Sequence, residues 1–582
     1  MKKQRESDAA RLCRKQFLLN NKKNFFLTIL TVFVMAGSRL LLAFMTRGIT
    51  EAMELKDLGR LRDALIFAGF AAAGGLFTGL MSKTYRNRYM KEGLSQFKKY
   101  VFDKLFQKSI GQFGDTSSGK FISAFSNDIN SIEINYLAGN IHLISQVISF
   151  VGGFFAMLYV DWRLMLCVMV TALGPMFVSM KYGRRIKTRE RQTSEINEGF
   201  VDQIKDLLNG FIIIKSFKAE KEVLQIFDKQ NAELEETKRA RREANDMVGI
   251  ISEASFTIVL IVLVAVGTFF VFGGTMTIGS VLAFVQLSSE VLNPISKIVT
   301  LWSNHKAAVG LVSRISDVIE AKDDSCDKIE ITDIEQSIML QNVSFSYDDG
   351  KMAISDVSIE FEKGKSYAVV GSSGGGKSTL LRLLLGHLSH YQGEITIDGK
   401  ELRSINLDSL YDVISVIQQN VFLFDSSIKD NITMFKSFPQ EKYREAISMA
   451  GLSALIDEKG DDYDCGEAGG NLSGGEKQRV SIARCLIRET PVLLMDEATA
   501  ALDNATAAAV SNAILDIDGL TRIIVTHKFE ESIMRRYDRI IVIQKGGVAE
   551  SGTFDELMGM KKYFYSLFNV AQEEDELQPI NL

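Results

Sequence analysis

Six apolar stretches precede residue 305 of this 582-residue chain, at 25–46, 64–82, 137–160, 164–180, 248–272 and 278–301. Each supplies roughly the 17–25 residues that an α-helix needs to cross about 30 Å of hydrocarbon. A backbone in lipid must satisfy its own N–H and C=O groups, so runs of this length commit the first half of the chain to a helical membrane domain. The fourth and sixth are the least apolar. Over the whole chain 46% of residues are hydrophobic, which is ordinary. Their crowding into one half is not.

Basic residues orient these spans. Residues 1–24 carry Lys2, Lys3, Arg5, Arg11, Arg14, Lys15, Lys22 and Lys23 and lack a cleavage-like site. The long connections 83–136 and 181–247 are also rich in Lys and Arg, whereas those at 161–163 and 273–277 are short and nearly uncharged. By the positive-inside rule the long connections and both termini are cytoplasmic, with spans one, three and five running outward. Within the long connections, 89–108 and 195–242 keep apolar residues at three- and four-residue spacing, which predicts helices continuing into the cytosol. Arg39 in the first span, Glu253 near the inner end of the fifth and Glu290 midway along the sixth are ionisable groups at membrane depth. Such groups usually face a cavity or a partner, so they are candidates for a translocation path; for Arg39, structural pairing or snorkelling is the alternative. Pro175 and Pro294 predict kinks or helix ends, and Gly75-x-x-x-Gly79 permits close helix approach.

A different pattern begins past residue 321, where polar composition marks a linker at 322–335. Short strands then alternate with helices, as in an α/β domain. There an apolar run feeds Gly371-x-x-x-x-Gly376-Lys377-Ser378, and a Leu-rich helix follows at once. This is a P-loop in its proper context: backbone N–H groups wrap phosphates, Lys377 reaches the β/γ-phosphates, and the Ser378 hydroxyl can ligate Mg²⁺. Val492 to Met495 is an apolar run of buried-strand length ending in Asp496 and Glu497. Asp496 would hold Mg²⁺ through its water shell, and Glu497 would orient or deprotonate the attacking water. Leu472-Ser473-Gly474-Gly475-Glu476, followed by Lys477 and Gln478, opens another helix and forms a second anion site, redundant unless it serves a different nucleotide.

The segments Gly371–Ser378, 472–478, 492–497 and 524–527, in that order, resemble the nucleotide-binding domain of an ATP-binding cassette (ABC) transporter. The resemblance covers about residues 20–570. It implies an exporter-type half-transporter: a six-span α-helical transmembrane domain (25–321) followed by an α/β P-loop NTPase (336–570), between a cytoplasmic segment (1–24) and an acidic tail (571–582). It implies ATP and Mg²⁺ as ligands, with ATP contacts from Tyr347 on the adenine and from Gly371, Ser372, Gly374, Gly375, Gly376, Lys377, Ser378, Thr379 and Asp496. It also implies Gln418 at the Mg²⁺, Asp503 in the loop after the strand and His527 at the γ-phosphate. The signature residues Leu472, Ser473, Gly474, Gly475, Glu476 and Gln478 would close on ATP held by another chain. Segments 113–123 and 208–217 match coupling helices. Ala500 departs from the serine more common at its position and puts cross-talk between two sites in doubt, though not hydrolysis.

A net charge of −5 excludes the basic face of a nucleic-acid binder. Cysteines 13, 167, 326, 465 and 485 have no paired spacing, which argues against structural disulfides and metal clusters. The expected protein is therefore an ATP-driven transporter in the bacterial cytoplasmic membrane, a homodimer exporting a hydrophobic or amphipathic small molecule, lipid or peptide. Three alternatives stay open: import of a metal chelate such as a siderophore, one half of a heterodimer, and an ATP-gated channel or regulator.

Overall fold

The structure is a computed structural model that describes residues 8–108, 110–114, 121, 124–320, 328–347 and 350–577. Residues 322–327 of the expected linker 322–335, most of the coupling segment 113–123, residues 1–7 and the end of the tail lie outside the described residues. The chain divides into two units: Met1–Gln107 with Thr116–Glu320, and Lys108–Asp115 with Ala321–Leu582.

All six apolar stretches fall within helices of the first unit. The helices that hold them are Lys22–Leu55, Leu58–Phe106, Gly139–Val160, Trp162–Asn209, Glu220–Phe272 and Ile278–Ile319. Two π-helical segments, Ala124–Asp128 and Glu133–Ala138, lead into the third. Among the described residues five helical runs are long and apolar enough to cross a membrane; in the helix Trp162–Asn209 the apolar part found there is the shorter Trp162–Thr171. Leu58–Phe106 has 49 residues, about 74 Å at 1.5 Å per residue, so it extends well past a 30 Å hydrocarbon layer.

Local chemistry sets the tight turns. The Asp57 carboxylate accepts from the N–H groups of Gly59 and Arg60, Asp161 accepts from Arg163 and Leu164, and Thr277 accepts from Ser280. Each fills the orphan donors of the helix that it starts. Neither proline position ends its helix: Trp162–Asn209 runs past residue 175, and Ile278–Ile319 contains Pro294. The close approaches lie elsewhere than Gly75-x-x-x-Gly79. A Cβ at Gly79 would meet nothing within 4 Å, whereas one at Gly152 would stand 2.8 Å from Leu40 Cδ1 and one at Gly153 3.0 Å from Val291 Cγ2. These two glycines let the third spanning helix seat against the first and the last.

Two sheets build the second unit. Strands β1 (Ser337–Ser346), β2 (Met352–Glu362), β4 (Gln392–Ile397) and β5 (Lys400–Glu401) form an antiparallel sheet in the order β2-β1-β4-β5. The six-stranded sheet has the order β10-β9-β3-β8-β7-β6, with β3 at Ser366–Gly371, β6 at Ile414–Ile417, β7 at Val492–Asp496, β8 at Thr521–Val525, β9 at Arg539–Gln544 and β10 at Gly547–Gly552. From β9 to β6 its strands run parallel. Every residue of β3 and β8 is buried, and each carries an apolar run, 367–370 in β3 and 523–525 in β8. Parallel pairing puts the carboxyl ends of β3, β8 and β7 along one edge, where such sheets build their ligand sites.

Candidate functional site

The P-loop leaves the end of β3 and enters the helix Lys377–Leu384. Gly371 sits at φ 149° and Gly376 at φ 107°. A Cβ at these positions would lie 2.0 Å from the Ile543 carbonyl oxygen and 2.4 Å from that of Ala353, so only glycine fits either place. Gly375 N–H donates to Ser372 O (3.1 Å), folding the loop back on itself. Lys377 is buried and donates from Nζ to the carbonyls of Gly371 (2.9 Å) and Ser372 (3.0 Å). Burial pushes its ammonium below the ordinary lysine range, against the opposing pull of Glu497 and Asp496.

The Ser378 hydroxyl donates to Asp496 Oδ1 at 3.2 Å. Burial raises the Asp496 carboxyl, and the adjacent Glu497 charge adds to the rise, while the Ser378 hydrogen bond works against it. A hydroxyl and two neighbouring carboxylates, one of them hard to ionise, form an oxygen donor set that a hard divalent cation would satisfy. Mg²⁺ fits these residues, and the glycine-lined loop fits a phosphate chain.

Glu497 is held at both oxygens. Gln419 Nε2 donates to Oε2 at 2.7 Å, and His527 Nε2 lies 3.0 Å from Oε1. Parallel pairing of β7 with β8 brings this about: Asp496 stands opposite Val525, Glu497 N–H donates to Val525 O (3.1 Å), and His527 follows two residues later. The resemblance implied Gln418 at the Mg²⁺; the glutamine that meets the Glu497 carboxylate is its neighbour, Gln419. Strand β6 closes at Ile417, and consecutive side chains in extended chain leave on opposite sides, so one residue of register decides which glutamine reaches Glu497.

Tyr347 keeps an accessible ring, 37% exposed, with its hydroxyl 3.2 Å from Thr379 Oγ1 at the start of the P-loop helix. Edge contact with Phe345, 5.0 Å between centroids, sets the ring's orientation. The signature lies apart from this group. Ser473 caps the helix Gly474–Leu486 in a reciprocal box with Glu476, and Gln478 Oε1 accepts from Ala501 N–H at 3.0 Å. The Asp503 carboxylate caps the next helix through Thr506 N–H (2.9 Å). Among the described residues no hydrogen bond joins the signature to the P-loop.

In the first unit, two of the three membrane-depth groups meet. Arg39 Nε lies 3.3 Å from Glu290 Oε1, and its Nη2 donates to the buried Ser149 hydroxyl at 2.6 Å. The absence of a Cβ at Gly153 leaves the room this needs, because one would stand 3.1 Å from Glu290 Cβ. Glu253 stays outside this group, exposed on the helix Glu220–Phe272.

A multi-helix membrane unit joined to a P-loop domain with paired carboxylates defines a membrane-bound nucleoside triphosphatase. Family comparison makes the class specific. The model of the ABC transporter transmembrane region matches residues 23–295, and the ABC transporter model matches residues 354–500. The chain belongs to the ABC transporter family and has its exporter architecture, with ATP hydrolysis coupled to transport. It is 30% identical to the beta-(1→2)glucan export ATP-binding/permease protein NdvA of Rhodopseudomonas palustris, over 80% of this chain and 79% of the relative. It is 28% identical to the ATP-dependent lipid A-core flippase of Desulfotalea psychrophila, over 84% and 87%. A solved structure of a bacterial Atm1-family ABC exporter with ATP bound superposes with a TM-score of 0.83 at 20% identity, covering 94% of this chain and 99% of that one.

Proposed function

We propose that two copies of this chain form an exporter of an amphipathic compound in the bacterial cytoplasmic membrane, with both termini and the cassettes on the cytosolic side. The observation that carries the pairing is the separation within one cassette of two phosphate-seeking devices, the P-loop with its carboxylates and the capped signature helix. A single nucleotide needs only one of them in its own chain, so the signature serves the ATP of a second chain, and two-fold pairing supplies it reciprocally. The helix Phe211–Ser216 supports the same reading: Phe211, Ile212, Ile213 and Phe217 are exposed in the single chain, an apolar face suited to docking on a partner.

In this site ATP rests its adenine on Tyr347 and its phosphates in the loop 371–379. Ser378, and Asp496 through water, would hold Mg²⁺, which would neutralise charge on the β/γ-phosphates. Glu497 takes the proton of the attacking water; His527 and Gln419 fix its two oxygens, and His527 adds a contact to the γ-phosphate. A relative named for flipping lipid A-core supports an amphipathic cargo, and one named for exporting a glucan supports a large one. The test is ATP-dependent uptake by inside-out vesicles carrying the chain, across lipids, glucans, drugs, peptides and metal chelates, with Glu497→Gln alongside. Accumulation of an amphiphile in vesicles of the wild type and not of Glu497→Gln supports the reading. Accumulation in right-side-out vesicles alone, of a metal chelate in particular, makes the chain an importer.

A further inference from the structure

The residue after His527 is tied to the loop that follows Glu497. Lys528 Nζ donates to the Leu502 carbonyl at 3.1 Å and reaches Asn504 Oδ1 at 3.4 Å. Its own N–H donates to Thr526 Oγ1 at 3.0 Å, which fixes the direction in which the chain leaves β8. Two consecutive residues thus grip two parts of one loop: His527 faces the carboxylate of Glu497, and Lys528 faces the backbone just before Asp503. From the other side, Gln478 accepts from Ala501 N–H, and a Cβ at Gly475 would come within 3.2 Å of the Ala501 carbonyl. The loop 501–504 is therefore pinned at adjacent residues, by the signature helix at Ala501 and by Lys528 at Leu502.

We infer that Lys528 is a positioning residue for hydrolysis, an ammonium clasp that holds the loop of Asp503 in register with His527. It rests on the reading that Glu497 and His527 carry out hydrolysis. A charge-assisted bond to a main-chain carbonyl suits the purpose because it holds the backbone whatever the loop's side chains are. Ala500 stands just before this loop, so no hydroxyl at that position helps to hold it. Methionine keeps the length and apolar stem of lysine and loses the clasp; arginine keeps a cation able to reach both acceptors. The clasp touches no atom of the nucleotide-binding loop, so its loss acts on turnover and leaves ATP binding alone.

The experiment measures kcat and KM for ATP, and binding of a fluorescent ATP analogue, for the full-length chain in lipid as wild type, Lys528→Met, Lys528→Arg, Asn504→Ala and Glu497→Gln. The expected result is a fall in kcat of about tenfold for Lys528→Met with KM and analogue binding unchanged, the scale of a misplaced catalytic group. Lys528→Arg should recover most of the loss, and Asn504→Ala should show a smaller fall of the same kind. Unchanged kcat in Lys528→Met, or parallel loss of turnover, nucleotide binding and melting temperature that arginine does not rescue, overturns the inference. Asn504→Ala keeps the question answerable if Lys528→Met does not fold, since full kcat there contradicts the clasp. Turnover by Glu497→Gln at the wild-type rate would instead sink the reading of the hydrolytic site on which this one stands.

Discussion

Glu497 combines three features that seldom meet in one carboxylate: a left-handed backbone at φ 50°, two side-chain partners, and a second carboxylate next to it in sequence. A non-glycine residue in that conformation costs on the order of 1 kcal/mol or more and persists where surrounding contacts over-determine it. Here those contacts are Gln419, His527 and the Val525 carbonyl. Replacing Glu497 with Gln is expected to lower steady ATP turnover by about 10²–10⁴-fold while nucleotide binding persists, because the P-loop is untouched. Phosphate release from the full chain in lipid, read beside analogue binding, checks both halves. Gln419→Ala should slow turnover more than Gln418→Ala does; equal effects would mean that the bond to Oε2 has no part in the reaction. This pair marks the limit of what was legible at the residue scale. Glycine and carboxylate spacings identify the P-loop, Asp496 and Glu497 because each spacing has one chemical use. Two glutamines in a row carry no such information, and a lysine clasp to a backbone carbonyl leaves no pattern at all.

Elements are joined by contacts that lie far apart in sequence. Asp538, just before β9, accepts from the N–H and hydroxyl of Ser366 at the start of β3, each at 2.8 Å, and pairs with Lys365. Burial alone would raise its carboxyl; these donors outweigh burial and hold it below the ordinary 3.8. A carboxyl lowered on folding contributes stability above its unfolded pKa and loses it as pH falls through the folded one. Asp538→Asn should therefore lower the melting temperature near neutral pH, by a margin that closes below about pH 4. A deficit of constant size across that range would assign the effect to shape instead of charge. In the membrane unit, Arg39→Met alone should destabilise the chain more than Arg39→Met with Glu290→Met, since the single change leaves an uncompensated carboxylate at depth. Thermal unfolding in one detergent tests this, and an additive double mutant would contradict the pairing. The sequence marked both residues as out of place in a span but not that they meet, because hydropathy records depth and says nothing of azimuth. The same holds for Gly75-x-x-x-Gly79: small residues permit an approach, and only the neighbouring helix decides whether it happens, as at Gly152 and Gly153.

For the whole molecule, the order of parts was legible throughout: apolar runs of spanning length can only be helices in lipid, and each cassette motif is tied to a strand end or a helix start. The proposed pairing has only one mark in the sequence, the redundancy of two anion-binding devices, because a two-fold partner leaves no periodicity of its own. The account stands on that partner. Gly474→Asp would put a carboxylate where a second chain's phosphate should arrive, and Glu497→Gln removes the hydrolytic base, so each variant alone should be inactive. The decisive measurement is ATP turnover by mixed dimers, made by coexpressing the two variants under different tags and purified through both. One site of such a dimer joins an intact Glu497 to an intact signature from the other chain, so turnover should reappear at up to about half the wild-type rate per dimer. Mixed dimers as inactive as either parent, or full turnover by Gly474→Asp alone, would contradict an ATP site shared between two copies of this chain.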